Sequence, residues 1–281
     1  MEIIDPHLHL FDLEQGDYRW LEPDSLPDWP DKQKIRKNYS ESDLGLSGPL
    51  SLNGFVHIEA GFDNTQPWRE IQWLEQHCQR PFRSVAFADL TSESVSQQLE
   101  KLSDYKSVVG IRFILEDRAA ELLSNPVFQQ NLKYLDQKKL IFEAQLPLSD
   151  LPAIKLLKEQ LEKTPELKVV INHAGFPNAL SQEWMDAVTA LAHYPQCFIK
   201  CSGWEMLDRQ WTVETVKPYI NFVIRQFGLS RVMLASNFPV SELSCSYADL
   251  WGRYFKEMKF NDSEKKLLMH DTAEKLYGFK R

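Results

Sequence analysis

The chain has 281 residues, enough for one large domain or two ordinary ones, and its 43% hydrophobic and 26% charged residues fit a globular protein with a full-sized core. A net charge of −8 argues against nucleic acid or an anionic membrane surface as the partner, while leaving a small-molecule substrate open. Nowhere do about 18 apolar residues run together and no basic segment leads into an apolar run at the start, so neither a membrane span nor a secretory leader is expected.

Short apolar runs alternate with amphipathic stretches along the chain. Strand candidates fall at 2–9, 54–60, 83–90, 107–115, 139–146, 167–173, 197–203 and 231–237, and after the first their starts recur every 24 to 34 residues. That interval is one strand-plus-helix unit, and runs this uniformly apolar suit parallel strands covered on both faces. Between them, three- and four-residue spacing marks helices: Trp68, Ile71, Leu74 and Cys78 after Pro67; Val95, Leu99 and Leu102; Leu151, Ile154, Leu157 and Leu161. A last helix is expected to start at a cap on Asp262 or Ser263 and run through Leu267, Leu268 and Leu276. Eight such units predict an α/β protein with a (β/α)8 TIM barrel as one domain over residues 1–281. A doubly wound sheet is the alternative, but no Gly-rich phosphate loop follows any strand. The four cysteines show no CxxC spacing, which points to a reduced cytoplasm.

Residues 11–53 break the rhythm. They hold no clear strand but carry Tyr18, Trp20, Trp29 and Tyr39 with Pro23, Pro27, Pro30 and Pro49. A long insertion after a barrel strand sits over the C-terminal mouth, so this segment is expected as a lid or specificity wall. Its aromatics would equally suit a subunit contact, and the oligomeric state stays open.

In a barrel the chemistry belongs at the C-terminal strand ends, and these are unusually polar here. In order they present His7 and His9, His57 and Glu59, Arg112 with Arg118 shortly after, Glu143 and Gln145, His173, Lys200 and Ser202, and Ser236 and Asn237. Four of the seven histidines fall at these ends, whereas His77, His193 and His270 lie on or near helices and read as structural or solvated. His7 and His9, two residues apart on a strand, point the same way, so the pair can grip a metal or polarise a carbonyl.

With these residues in place, the chain resembles the amidohydrolase superfamily, in particular its lactone-hydrolase branch of sugar lactonases and 2-pyrone-4,6-dicarboxylate lactonase. DPHLHLFD resembles the strand-1 His-x-His motif, and DYRWLEP the Tyr-x-Trp-Leu element of sugar lactonases. VHIEA and VGIRF resemble that branch's strands 2 and 4, INHAGFP its strand-6 motif, IKCSG its strand-7 Lys-x-Ser-Gly and DTAEKLYGF its closing helix. The resemblance covers essentially the whole chain. It implies water attacking a carbonyl held over the barrel mouth. His7, His9 and His173 would ligate one divalent metal (zinc or manganese), or polarise the carbonyl directly with no metal. Either chemistry stabilises a tetrahedral oxyanion. Arg112 and Arg118 match a spacing that holds a substrate carboxylate, a task suited to a guanidinium fork. Gln145 and Lys200 are expected to contact substrate, and Trp204 to stack on a sugar ring.

Three departures qualify the resemblance. Strand 5 offers Glu143, Ala144 and Gln145 but no lysine, which argues against a binuclear centre. Strand 7 continues as Ser202-Gly203-Trp204 without an arginine, so a dicarboxylate loses one clamp. RVMLASNFPV resembles the strand-8 motif whose aspartate is general base and metal ligand, yet Asn237 stands there, and an amide cannot take a proton at neutral pH. Glu59 and Glu143 are the nearest substitutes, and Glu59 is favoured because its strand neighbours the one carrying His7 and His9. The residues therefore predict a small-molecule hydrolase, acting on a sugar or carboxylate lactone. The alternatives are decarboxylation or amide hydrolysis on the same scaffold, or an impaired barrel that only binds a metabolite.

Overall fold

The computed structural model describes residues 1–177 and 179–279, and within them all eight expected strands form. They are β1 (Glu2–Leu8), β2 (Ser51–Ile58), β3 (Phe82–Phe87), β4 (Val108–Ile114), β5 (Ile141–Gln145), β6 (Val169–Ile171), β7 (Cys197–Cys201) and β8 (Val232–Leu234). Each pairs in parallel with its sequence neighbour, in the order β1 to β8. The two ends of the sheet meet just beyond β8. There the Asn237 amide donates to the His7 carbonyl at 2.9 Å and the His9 amide to the Phe238 carbonyl at 2.7 Å. A doubly wound sheet has a reversal of strand order and two open edges; this chain has neither and is a (β/α)8 barrel.

The strand between helices is buried on both faces, as its composition demands: all five residues of β5 are buried, and Cys197 and Cys201 of β7 are fully covered. The principal helices around the barrel are α1 (Trp68–His77), α2 (Val95–Leu102), α3 (Ala119–Ser124), α4 (Pro126–Lys138), α5 (Leu151–Lys163) and α6 (Gln182–Ala192). They continue as α7 (Trp204–Leu207), α8 (Val213–Phe227), α9 (Tyr247–Glu257), α10 (Asp262–Lys266) and α11 (Thr272–Tyr277). The expected apolar stripes are the buried ones, for example Val95, Leu99 and Leu102, or Ile154, Leu157 and Leu161; Leu151, at the start of its stripe, stays 47% exposed. The C-terminal helical run is capped one residue earlier than expected. Asn261 accepts the Glu264 amide while the Glu264 carboxylate returns to the Asn261 amide, a reciprocal pair that Asp262 or Ser263 would not make.

The segment between β1 and β2 has no strand of its own, only three short helical turns at Arg19–Leu21, Lys32–Ile35 and Glu41–Asp43. It is nonetheless packed. Phe11, Tyr18, Leu21, Ile35, Tyr39 and Leu44 are buried, and the buried Lys32 ammonium closes one loop by donating to the carbonyls of Glu22 and Ser25 at 3.0 and 2.6 Å. Tyr39 donates to Glu242 at 2.8 Å, and Arg209 grips Asp31 with two bonds of 2.9 and 3.1 Å, so the insertion is fastened to the loops after β7 and β8. Among the described residues no helix is long and apolar enough to cross a membrane.

Candidate active site

β1 delivers its two histidines to different depths. His7 is fully buried in the barrel, while His9, just past the strand end, reaches the mouth. Their ring centroids are 5.1 Å apart, and the His173 ring, carried by the turn after β6, lies 4.6 Å from His7. Burial, with the Arg112 charge near all three and Lys200 near His7 and His173, pushes the imidazoles well below the usual histidine range, so they are neutral. The tautomer of His9 is fixed: its Nδ1 faces the Ile58 carbonyl at 2.7 Å, which can only accept, so the proton is on Nδ1 and Nε2 keeps its lone pair. His173 has Nδ1 engaged by Ser202 Oγ at 3.0 Å. Gly203 makes this approach feasible, because a Cβ there would fall 2.8 Å from His173 Nδ1, and its φ of +74° lies in the left-handed region that favours glycine.

Beneath the mouth lies an ion pair. Lys200 and Glu143 are both completely buried, with Nζ 2.7 and 2.6 Å from the two carboxylate oxygens. Tyr277 and Asn172 also donate to Glu143. The third contact of Lys200 is His7 Nδ1 at 3.4 Å, and an ammonium can only donate, so His7 holds its proton on Nε2, the atom left without a partner among the described residues. Lys200 was expected to contact substrate; it lies under the floor and acts on His7 instead.

β2 and β4 supply the side wall. Glu59 accepts from Arg112 Nε at 2.7 Å through its carboxylate and from Nη2 at 2.6 Å through its carbonyl, while Nη1 donates to Gln145 at 3.1 Å. Three of the five guanidinium N–H groups are thus committed and two remain. His57 stays behind this wall, accepting the Leu10 amide on Nδ1 and donating to Glu70 at 3.0 Å. It shapes the backbone after β1 and does not reach the cavity.

Asn237 closes the circle beyond β8. Its backbone is left-handed (φ +61°), a conformation asparagine tolerates, and its side-chain nitrogen donates to Glu205 Oε1 at 2.5 Å. Glu205, on α7, is 1% exposed, its Oε2 has no partner among the described residues, and burial raises its carboxyl to about 7. Nothing in the sequence marked it: an acid in the first turn of a short helix reads as solvated, and here it is enclosed by Asn237, Cys245 and Tyr254 from the chain beyond β8.

These residues surround a cavity of about 1070 Å³, walled on one side by Trp20, Leu26 and Trp29 of the insertion. His9, Glu59, Arg112, Gln145, His173 and Asn237 all line it. Besides Lys200, two expected contacts do not. Arg118 points to solvent with 61% of its side chain exposed, paired with Glu121 one helical turn on. Trp204 is 1% exposed and donates to Tyr254 at 2.8 Å, so its ring is consumed by packing and cannot stack on a sugar. The charges in the lining are unbalanced: Arg19, Arg69 and Arg112 are paired with Asp17, Asp63 and Glu59, leaving Asp28 and Glu116 in excess.

The mouth histidines do not form a metal-binding set as they stand. Among the described residues only His270, Asp271 and Glu274, at the strand-start side, bring three ligand atoms within 4.8 Å of one another. His7 presents an N–H rather than a lone pair, Lys200 and Arg112 add positive charge, and Asn237 offers an amide where a carboxylate would ligate.

The profile of the family described as Amidohydrolase matches residues 4–279. The uncharacterized protein y4mH of Sinorhizobium fredii is 32% identical, covering 98% of each chain. The L-fucono-1,5-lactonase of Burkholderia ambifaria is 26% identical over 88% of this chain and 83% of its own. An amidohydrolase from Burkholderia multivorans, solved with bound zinc, shares the fold with a TM-score of 0.80 at 18% identity over the full length of both chains.

Proposed function

Because this chain belongs to the amidohydrolase family and is a hydrolase, we propose that it opens a neutral, polyhydroxylated sugar lactone. The observation that carries this choice is the charge of the cavity. Each arginine in the lining has a carboxylate partner, and two further carboxylates stand in excess. Such a lining repels a dicarboxylate, offers acceptors to sugar hydroxyls, and favours release of the aldonate once the ring opens. Trp20 and Trp29 supply the apolar surface a sugar ring packs against, the part first expected of Trp204.

Water adds to the lactone carbonyl and gives its proton to His9 Nε2. The Nδ1–H bond to the Ile58 carbonyl strengthens as the ring becomes cationic. The oxyanion is met by the two uncommitted N–H groups of Arg112, held in place by Glu59 and Gln145. Collapse breaks the bond to the ring oxygen, which takes the proton as it leaves as a hydroxyl, and the product carboxylic acid ionises. Glu59, first favoured as the base, serves instead to fix Arg112, because one of its oxygens is already committed there.

The test is proton release from a panel of aldonolactones, L-fucono-1,5-lactone among them, and from pyrone dicarboxylate and muconolactones, with chelator and with added zinc or manganese. Turnover of aldonolactones that survives chelation is the expected result. Activity confined to dicarboxylates would overturn the substrate class. Activity confined to metal-loaded protein would overturn the histidine mechanism.

A further inference from the structure

Asn237 has its nitrogen tied down on the side away from the cavity. Its acceptor there, Glu205, lines a separate surface cleft of about 590 Å³ shared with Asp31, Lys34 and Arg209, while Asn237 itself lines the main cavity. The ionised Glu205 carboxylate only accepts and an amide nitrogen only donates, so in that state the reverse orientation would set two oxygens 2.5 Å apart. The contact is not explained by stability. Glu205 is buried with one oxygen unpartnered, a placement that weakens a fold, and a hydrocarbon side chain would fill the volume at lower cost. The backbone around the pair is equally committed: Asn237 is pinned by its amide on the His7 carbonyl and by its own carbonyl on the Ser241 amide, and α7 starts against His173 at Gly203.

We propose that Glu205 is a positioning residue of this site, turning the Asn237 amide so that its oxygen faces the cavity as a hydrogen-bond acceptor for the attacking water or a substrate hydroxyl. The inference deepens the lactonase reading and rests on it only for the activity measured below. Asn237 then orients a proton that another group removes, which is what an amide can do in place of a carboxylate. A charge-assisted bond of this kind favours one orientation by roughly tenfold to a hundredfold. The groups facing Glu205 are Arg209 beside it, Asp31 and Lys34 from the insertion, and Cys245 and Tyr254 from the α9 side. Arg209 is occupied by Asp31, and burial pushes the Cys245 thiol and the Tyr254 phenol up, so both stay neutral near pH 7.

The experiment compares wild type with E205L and E205Q by three measurements: kcat and KM on the best aldonolactone, the thermal midpoint, and the Asn237 side-chain amide resonances, assigned by their loss in N237D. In E205L the midpoint should hold or rise, the downfield hydrogen-bonded amide proton should vanish, and kcat should fall roughly tenfold to a hundredfold with KM changed far less. Glutamine can accept or donate, so E205Q should fall in between and should lack the acid limb of kcat/KM that protonation of Glu205 is expected to give wild type near pH 7. An E205L protein with unchanged kcat, or an Asn237 resonance indifferent to Glu205, would overturn the proposal. If wild type hydrolyses no lactone, the lactonase reading fails while the resonance still decides how the amide is held.

Discussion

The ion pair under the mouth gives the sharpest stability prediction. K200M leaves Glu143 as an unpaired anion with no exposed surface, and E143Q leaves Lys200 as an unpaired cation, each hydrogen-bonded only to neutral groups. Removing one member of a buried pair costs about 3–5 kcal/mol, and at about 2–4 °C per kcal/mol in a large domain each single variant should lose roughly 6–20 °C of thermal midpoint. The double variant should lie within about 2 kcal/mol of wild type, because glutamine keeps its oxygen as acceptor for Tyr277, its amide nitrogen can donate to the otherwise unpartnered Asn172 oxygen once that amide turns, and no charge remains. Urea denaturation of all four proteins gives the coupling energy directly. Single variants within about 1 kcal/mol of wild type, or a double variant whose cost is the sum of the two, would refute this account of the core.

Other outcomes follow from the same structure. H9A removes the lone pair proposed to take the proton and should lower kcat about 10²–10⁴-fold with little change in thermal midpoint; an unchanged kcat would remove His9 from the chemistry. Glu205 titrates at about 7 in the fold against 4.5 ordinarily, so the folded protein holds a proton that the unfolded chain has lost. Its favourable contribution is complete below pH 4.5 and is lost as pH rises through 7, about 3 kcal/mol in all. Denaturation at pH 4.5 and 8 should therefore show E205L gaining on wild type by up to that amount, and parallel curves would disprove the buried charge. R209M frees Asp31 and one fastening of the insertion, a partly exposed pair, so stability should change by no more than about 1 kcal/mol while KM rises. A fall in kcat with constant KM would instead place Arg209 in the chemistry.

Much of the frame is legible in the residues because it depends on periodicity. All eight strand candidates contain the observed strands or overlap them, and β2 starts earlier than expected only because Ser51 finds a partner in Glu2 across the sheet. The insertion was recognisable by its lack of strand pattern and by its aromatics, and Trp20 and Trp29 do line the cavity. Spacing also brought His9, Glu59, Arg112, Gln145, His173 and Asn237 together, since strand ends in a barrel share one rim.

What spacing left undecided is what each side chain touches. Arg112 and Arg118 are equally plausible clamps in one dimension; one is held by Glu59 and Gln145, and the other lies in solvent one turn beyond the strand. Lys200 and Trp204 fall in a motif at a strand end, yet one is spent on Glu143 and His7 and the other on Tyr254. Glu205 carried no signal at all, because its surroundings are built by Asn237, Cys245 and Tyr254, residues some 30 to 50 positions further along the chain. The sequence alone determined the barrel and the rim, which follow from local hydrophobic period and chain order. Only the tertiary structure decided tautomers, partners and burial, because these are set by contacts between residues distant in the chain.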